Sequence, residues 1–116
     1  MENAAARFEK AIQHRLVGEY DQALELLRPM LTEQPNNAEL YHEIGLIHSF
    51  KVDIDESVYY LEAAVRLAPT NVVYMLDAGK THAMFGNDDK AKAIFEYVLK
   101  IDPFNDEAQK NLAYYK

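Results

Sequence analysis

The stretch NAELYHEIGLIHSFKVDIDESVYYLEAAVRLAPTN, residues 37–71, contains one full copy of a pattern that recurs along the chain every 34 residues. It begins and ends on asparagine, carries Gly45 in its first half, and places Leu61 and Pro69 in its second half. Because the spacing between equivalent residues is constant, the chain is predicted to be a stack of similar structural units.

Six columns of residues keep this register along the chain, and chance does not align so many columns at one spacing. They are the asparagines Asn3, Asn37, Asn71 and Asn105; the prolines Pro35, Pro69 and Pro103; the histidines His14, His48 and His82; the small residues Ala11, Gly45, Gly79 and Ala113; the large apolar residues Leu27, Leu61 and Phe95; and, four residues later, Leu31, Val65 and Leu99.

Each column has a physical reason. Asparagine side chains accept hydrogen bonds from the first turn of a helix, and proline ends the helix before it. A glycine inside a helix costs about 1 kcal/mol relative to alanine, so Gly45 and Gly79 indicate that a neighbouring helix approaches closely. The histidines are predicted to pack between helices, since equivalent positions on adjacent helices lie about 8–10 Å apart, too far to share a metal ion.

Two helices are predicted in each period, separated by turn and capping residues. The first helices are expected over 4–17, 37–50 and 71–84, the second helices over 20–34, 54–67 and 88–101, and a last helix over 106–116. Pro29 lies inside a second helix and is expected to kink it, because proline removes one backbone hydrogen bond.

These motifs resemble the tetratricopeptide repeat family. The family's positions are held in the second repeat by Tyr41, Ile44, Gly45, His48, Ser57, Leu61 and Pro69, and in the third by Met75, Ala78, Gly79, His82, Ala91, Phe95 and Pro103. The resemblance implies an all-α fold, a right-handed α-solenoid of three tetratricopeptide helix–turn–helix repeats plus a C-terminal capping helix. It covers 1–116 as a single domain, with repeats at about 4–37, 38–71 and 72–105 and a final helix at about 106–116.

Two departures from the family pattern stand out. Histidine replaces the family's tyrosine in all three repeats. The first repeat has Arg7 and Lys10 where the family is apolar, which is expected of a terminal repeat that faces water.

The resemblance also implies a concave groove, lined by the second stripe of each first helix. This groove would be mostly apolar, with basic groups at two positions, and its residues are Phe8, Ile12, Arg15, Leu16, His42, Leu46, Ser49, Phe50, Val73, Leu76, Lys80 and Met84. A groove of this kind suits an amphipathic helix or an extended apolar peptide. The alternative is that these residues only pack against neighbouring first helices.

Some family members hold the acidic C-terminal tails of heat-shock chaperones with a clamp of Lys, Asn and Arg side chains. The matching positions here hold Phe8, Ile12, Glu43, Leu76 and Lys80, and only the lysine is of the required type. The residues therefore do not support binding of chaperone tails.

The composition excludes several classes of function. The chain has 116 residues, a formal net charge of -7 and no cysteine. Disulfides, zinc–thiolate sites and cysteine nucleophiles are thus excluded, and the acidic charge disfavours nucleic acid. No apolar run approaches the ~20 residues of a membrane span, so no membrane insertion is expected. The charged N-terminal stretch does not resemble a signal peptide, and we expect a cytoplasmic location.

No catalytic or metal site is predicted, and no cofactor is expected. His42 and His48 are six residues apart and face different sides of a helix, unlike a zinc-protease motif, which needs a spacing of four. Asp53, Asp55 and Glu56 lack the glycine and distal glutamate of a calcium loop, so we interpret them as capping and helix-dipole groups.

The function predicted from the sequence is a non-enzymatic scaffold that binds an apolar or amphipathic segment of a protein partner in the groove. One alternative is structural self-assembly by end-to-end stacking through the last helix, where Leu112, Tyr114 and Tyr115 lack an obviously polar cap. Another is a small acidic tetratricopeptide chaperone of a secretion system, a class to which the charge and groove are similar in kind.

Overall fold

The computed structural model describes residues 2–115, and that part of the chain forms helices and turns without a strand. In chain order the helices are α1 (Ala4–Leu16), α2 (Tyr20–Leu27), α3 (Met30–Glu33), α4 (Ala38–Phe50), α5 (Ile54–Leu67), α6 (Val72–Met84), α7 (Asp88–Ile101) and α8 (Asp106–Ala113). The predicted helix bounds are confirmed to within a residue, except for the helix expected over 20–34 and for the last helix. That helix ends at Ala113, and its predicted end at 116 lies outside the described residues.

The helix predicted over 20–34 is broken into α2 and α3 at Arg28 and Pro29. The break follows from the proline, which cannot donate the backbone hydrogen bond that a continuous helix needs there. The amide of Leu31 bonds instead to the carbonyl of Arg28 at 3.1 Å, a tighter three-residue turn. The expected kink is therefore confirmed as a complete interruption.

The periodic asparagines begin the first helix of each unit, as predicted. Each side-chain oxygen accepts a hydrogen bond from the amide three residues later, at 2.8 Å for Asn3, 3.3 Å for Asn37, 3.0 Å for Asn71 and 2.8 Å for Asn105. Such caps satisfy amide groups that the helix itself leaves unpaired, and each stabilises its helix by about 1 kcal/mol.

The helices form three consecutive hairpins, α1 with α2–α3, α4 with α5 and α6 with α7, and α8 packs on α6 and α7. The chain is a right-handed tetratricopeptide-type solenoid with α1, α4, α6 and α8 in one layer. We call the side of this layer that carries the predicted groove residues the first-helix face. No helix within residues 2–115 is long and apolar enough to cross a bilayer.

Close packing inside each hairpin explains the small and large apolar columns. Leu27, Leu61 and Phe95 are at most 1% exposed. A Cβ atom added to Gly45 would lie 2.7 Å from Cγ of Leu61, and one added to Gly79 would lie 2.7 Å from Cε1 of Phe95. The prediction that these glycines admit a close neighbouring helix is confirmed.

Candidate functional site

Four side chains of the predicted groove present apolar surface on the first-helix face. Leu16, Phe50 and Met84 are the last residues of α1, α4 and α6, and they are 62%, 51% and 59% exposed. Val73, at the start of α6, is 60% exposed. The three terminal residues occupy equivalent positions 34 residues apart, so the exposed apolar surface repeats with the fold.

Other predicted groove residues lie deeper. Ser49 is 6% exposed and donates its hydroxyl hydrogen to the carbonyl of Leu46 at 2.8 Å. Leu76 is 5% exposed and belongs to the core formed by α6, α7 and α8. Phe8, Ile12 and Leu46 are half-buried. These residues shape the layer from within, and Leu76 offers almost no surface to a partner.

The polar groove residues are engaged with carboxylates on neighbouring helices. Arg15 of α1 pairs with Glu43 of α4 through two of its nitrogens. His42 of α4 lies 2.7 Å from Asp77 of α6, and its ring stacks on Tyr74 with centroids 4.4 Å apart. These pairs connect successive first helices across the face.

Lys80 of α6 extends this chain of ion pairs to the last helix. Its Nζ lies 2.5 Å from Glu107 of α8 and 3.4 Å from Asp77. The two basic residues predicted in the groove, Arg15 and Lys80, are thus both paired with carboxylates. The spacing of Asp77 and Lys80, three residues apart on a helix, was the one local signal of this pairing.

The ionisation of this network follows from its geometry. Burial would raise the pKa of Asp77, but the hydrogen bonds and charges of His42 and Lys80 outweigh burial and hold that pKa below its usual value. Burial would lower the pKa of Lys80, but Glu107 and Asp77 outweigh it and raise that pKa. Both side chains are therefore charged at neutral pH.

Each periodic histidine contacts the turn that joins the two helices of its hairpin. Nδ1 of His14, His48 and His82 lies 3.0, 3.0 and 3.3 Å from the side chain five residues later, which is Glu19, Asp53 and Asn87. The backbone amides of the same three residues donate to the histidine carbonyls at 2.8 to 2.9 Å.

These contacts correct the interpretation of Asp53 as a side-chain cap, and Asn87 takes the equivalent position in the next repeat. Each stands at the N-cap position of a second helix, but neither side chain makes a capping hydrogen bond. Both side chains point back to the preceding histidine, because the tight turn brings the ring within reach.

His48, Asp53 and Glu56 bring three possible metal-ligand atoms within 4.8 Å of one another. The contact between His48 and Asp53 recurs at His82 with Asn87, a neutral amide. The position of Glu56 is taken by Lys90 in that repeat, which would repel a cation. The arrangement is therefore accounted for by the turn that all the hairpins share.

A second feature, which the sequence reasoning missed, is a cleft on the opposite side of α6, between α5 and α7. Its volume is about 520 Å³, within the range of ligand sites in proteins. Val65, Met75, Ala78 and Ile94 contribute apolar walls, while Glu62, Arg66, His82 and Lys90 contribute polar groups.

The last helix is covered more fully than its sequence indicated. Leu112 and Tyr115 pack against the core of α6, α7 and α8, and of the three residues expected at an open end only Tyr114 is fully exposed, at 85%. Phe104, in the turn before α8, is 89% exposed.

Sequence comparison gives relatives of the same repeat type. The family model for the tetratricopeptide repeat matches residues 38–71. The chain is 28% identical over 123 residues to the antiviral innate immune response effector IFIT1 of Homo sapiens, a match that covers 88% of this chain and 26% of that protein. For IFIT1 of Macaca fascicularis the identity is 29% over 120 residues, with 85% and 25% covered. The chain spans about a quarter of the length of these curated relatives.

Solved structures share the whole architecture. The first tetratricopeptide domain of Spaghetti (RPAP3) bound to the HSP90 peptide SRMEEVD superposes with a TM-score of 0.85 at 22% identity, covering 96% of this chain and 88% of that one. MamA gives 0.87 at 19%, covering 97% and 66%, and YrrB, described as having an unusual peptide-binding site, gives 0.84 at 21%, covering 96% and 57%.

At these identities the similarity to solved structures shows the fold alone. Together with the family match at residues 38–71 and the 34-residue register of the whole sequence, it leads to one assignment. Residues 38–71 match the tetratricopeptide repeat family model, and the described residues have the fold of a tetratricopeptide solenoid.

Proposed function

We propose that the chain is a non-catalytic scaffold that binds an apolar or amphipathic peptide segment across its first-helix face. The tetratricopeptide fold supports a role in protein–protein interaction, and the family match indicates no catalytic class. The observation that carries the finer proposal is the exposed apolar set of Leu16, Phe50, Val73 and Met84, each more than half exposed. Aligned apolar side chains of this kind suit the apolar stripe of a helix or extended peptide.

The charges around this set support a partner that is not acidic. The whole chain has a net charge of -7, and the basic groups at Arg15 and Lys80 are already paired with Glu43 and Glu107. A peptide carboxylate would have to compete with these intramolecular pairs. Apolar contact, assisted by basic residues on the peptide, avoids that cost.

The HSP90 peptide SRMEEVD, bound by the Spaghetti domain, provides a direct contrast. In this chain, the positions corresponding to the chaperone-tail clamp are mostly apolar or acidic, and Glu43 among them is 5% exposed. We expect this acidic peptide to bind at least about ten-fold more weakly than a selected amphipathic peptide, a difference of about 1.4 kcal/mol.

The proposal is tested by selecting displayed peptides on the wild-type protein and measuring their affinity for two double variants. Phe50→Glu with Met84→Glu places charge at two exposed positions of the first-helix face. Phe104→Glu with Tyr59→Glu is the matched control, since both residues are exposed but lie elsewhere, at 89% and 61%. Leu76 is left unchanged because its burial makes a charged replacement disruptive.

We expect the selected peptides to carry apolar residues at helical spacing and to lose at least about ten-fold in affinity with the first variant, because central apolar contacts each contribute about 1–2 kcal/mol. The control variant should bind as the wild type does. Circular dichroism establishes that both variants remain helical. Equal binding by all three proteins, or selection of acidic peptides without apolar periodicity, would contradict the proposal.

A second candidate is self-association through the C-terminal end. The observation that favours it is the pair of exposed aromatic side chains there, Phe104 and Tyr114, which are 89% and 85% exposed. Aromatic residues are enriched at protein interfaces and cost little entropy to order. This candidate needs no external partner and is distinguished by its dependence on protein concentration.

A further inference from the structure

The cleft lies at the interface between the second and third hairpins, which we call the second interface. The first interface, between the first and second hairpins, has equivalent residues and shows which side chains are absent from the cleft. Moving 34 residues back along the sequence relates Met75 to Tyr41, Ala78 to Ile44, Ile94 to Tyr60 and His82 to His48. In three of these four pairs the residue lining the cleft is the smaller one. The cleft thus exists because side chains that fill the first interface have been reduced in the second.

Tyr60 provides the filling group in the first interface. Its ring lies parallel to the ring of His48, with centroids 5.7 Å apart and planes inclined by 6°. The same ring lies 6.1 Å from that of Tyr41. In the second interface, His82 keeps the position of His48, but Ile94 stands in place of the tyrosine, so the imidazole has lost its stacking partner from α7.

One residue that lines the cleft is larger than its counterpart in the first interface. Tyr97 stands where the first interface has Ala63, and it is 52% exposed, whereas Ala63 is 6% exposed. Its ring therefore stands at the mouth of the cleft, where it can cover a ring that enters from solvent. Tyr97 and Ile94 are the more accessible walls of this aromatic slot, because His82 is only 2% exposed.

The polar rim has a local charge opposite to that of the whole molecule. Glu62 is engaged with His82, since its Oε1 lies 3.4 Å from Nε2 of the imidazole. Among the ion pairs formed within residues 2–115, none involves Arg66 or Lys90, which also line the cleft. Two cations are thus available beside the slot to an acidic group of a ligand.

We propose that this cleft binds an aromatic side chain of a partner polypeptide, with the ring held between Ile94 and Tyr97 and a neighbouring acidic residue paired with Arg66 or Lys90. This site lies on the opposite side of α6 from the first-helix face and does not depend on the function proposed there. Burial and the charge of Lys90, only partly offset by Glu62, lower the pKa of His82. The imidazole is therefore neutral at neutral pH and does not add to the positive charge of the rim.

The test is an NMR titration with capped tripeptides, following the backbone and methyl signals of residues 60–100. Acetyl-Glu-Tyr-Glu-amide carries both recognised groups, acetyl-Glu-Leu-Glu-amide lacks the ring, and acetyl-Lys-Tyr-Lys-amide reverses the charge. p-Cresol represents the free ring. We expect the first peptide to shift the signals of Ala78, His82 and Ile94, with a Kd in the millimolar range.

Loss of the ring should weaken binding by about three-fold or more, and reversal of the charges by about three- to ten-fold. Ile94→Tyr places a phenol where the ligand ring would lie and should abolish the shifts. Lys92→Tyr is the matched control, since Lys92 is an exposed residue of the same helix that does not line the cleft, and it should leave binding unchanged.

Intermolecular NOEs from the peptide ring to the methyl groups of Ala78 and Ile94 provide a measurement on the wild-type protein that does not depend on the folding of any variant. The proposal is overturned if these NOEs are absent at saturating peptide, or if Ile94→Tyr folds and binds as the wild type does. It is equally overturned if p-cresol enters the cleft while acetyl-Glu-Tyr-Glu-amide does not, because the site would then take a free aromatic molecule.

Discussion

Val52 has a left-handed backbone conformation, with φ of 62°, at the turn where the other two hairpins have Gly18 and Gly86 with φ of 80° and 82°. A β-branched residue is strained there by about 1–2 kcal/mol, because its Cβ approaches the neighbouring carbonyl. Val52→Gly should raise the free energy of unfolding by about 0.5–1 kcal/mol, after allowance for the entropy of glycine in the unfolded chain.

Thermal unfolding measures this effect as a rise of about 2–4 °C in Tm. Val17→Gly is the matched control, since Val17 is 71% exposed and has an ordinary φ of -103°. The control should leave Tm unchanged or lower it. A fall in Tm for Val52→Gly would show that the valine side chain makes contacts that outweigh its backbone strain.

At the scale of the helices, the contact between Gly79 of α6 and Phe95 of α7 determines how closely these two helices pack in the third hairpin. An added Cβ at Gly79 would meet two ring atoms of Phe95, at 2.7 and 3.0 Å. Gly79→Ala should therefore lower the free energy of unfolding by about 1 kcal/mol, because overpacking exceeds the gain in helix propensity.

Phe95→Leu should reverse this penalty, since the first hairpin has the compatible pair Ala11 and Leu27, both fully buried. Urea unfolding of the two single variants and the double variant gives the coupling between the sites, expected at about 1 kcal/mol in favour of the pair. Additive losses would mean that the ring of Phe95 does not set the distance between these helices.

The elements that could be predicted from the sequence are those specified by local chemistry. Asn71 caps its helix through a contact with Tyr74, three residues away, and Pro29 interrupts its helix wherever that helix packs. The pairing of Arg15 with Glu43 joins residues 28 apart and appears only after the hairpins are stacked. The cleft does not follow from the shared repeat pattern, because its cause is a difference between equivalent residues, Tyr60 and Ile94.

At the scale of the whole molecule, the C-terminal end limits how strongly copies of the chain can associate. The molecule measures 51 by 25 by 21 Å, so an end face has about 500 Å² and two faces together bury about 1,000 Å², near the lower limit for a specific interface. We therefore expect association through Phe104 and Tyr114 to be weak, with a Kd above about 10 μM.

Light scattering after size exclusion should then give the monomer mass of 13.3 kDa at low concentration and a larger average mass at several hundred micromolar. Tyr114→Glu should abolish the increase, whereas Tyr59→Glu, at an exposed position on α5, should not. A monomer mass for the wild type at every concentration would exclude self-association through this end. Equal effects of the two variants would place the contact elsewhere, because a stack built on α8 requires the terminal aromatic side chain and not one on the outer surface of the second hairpin.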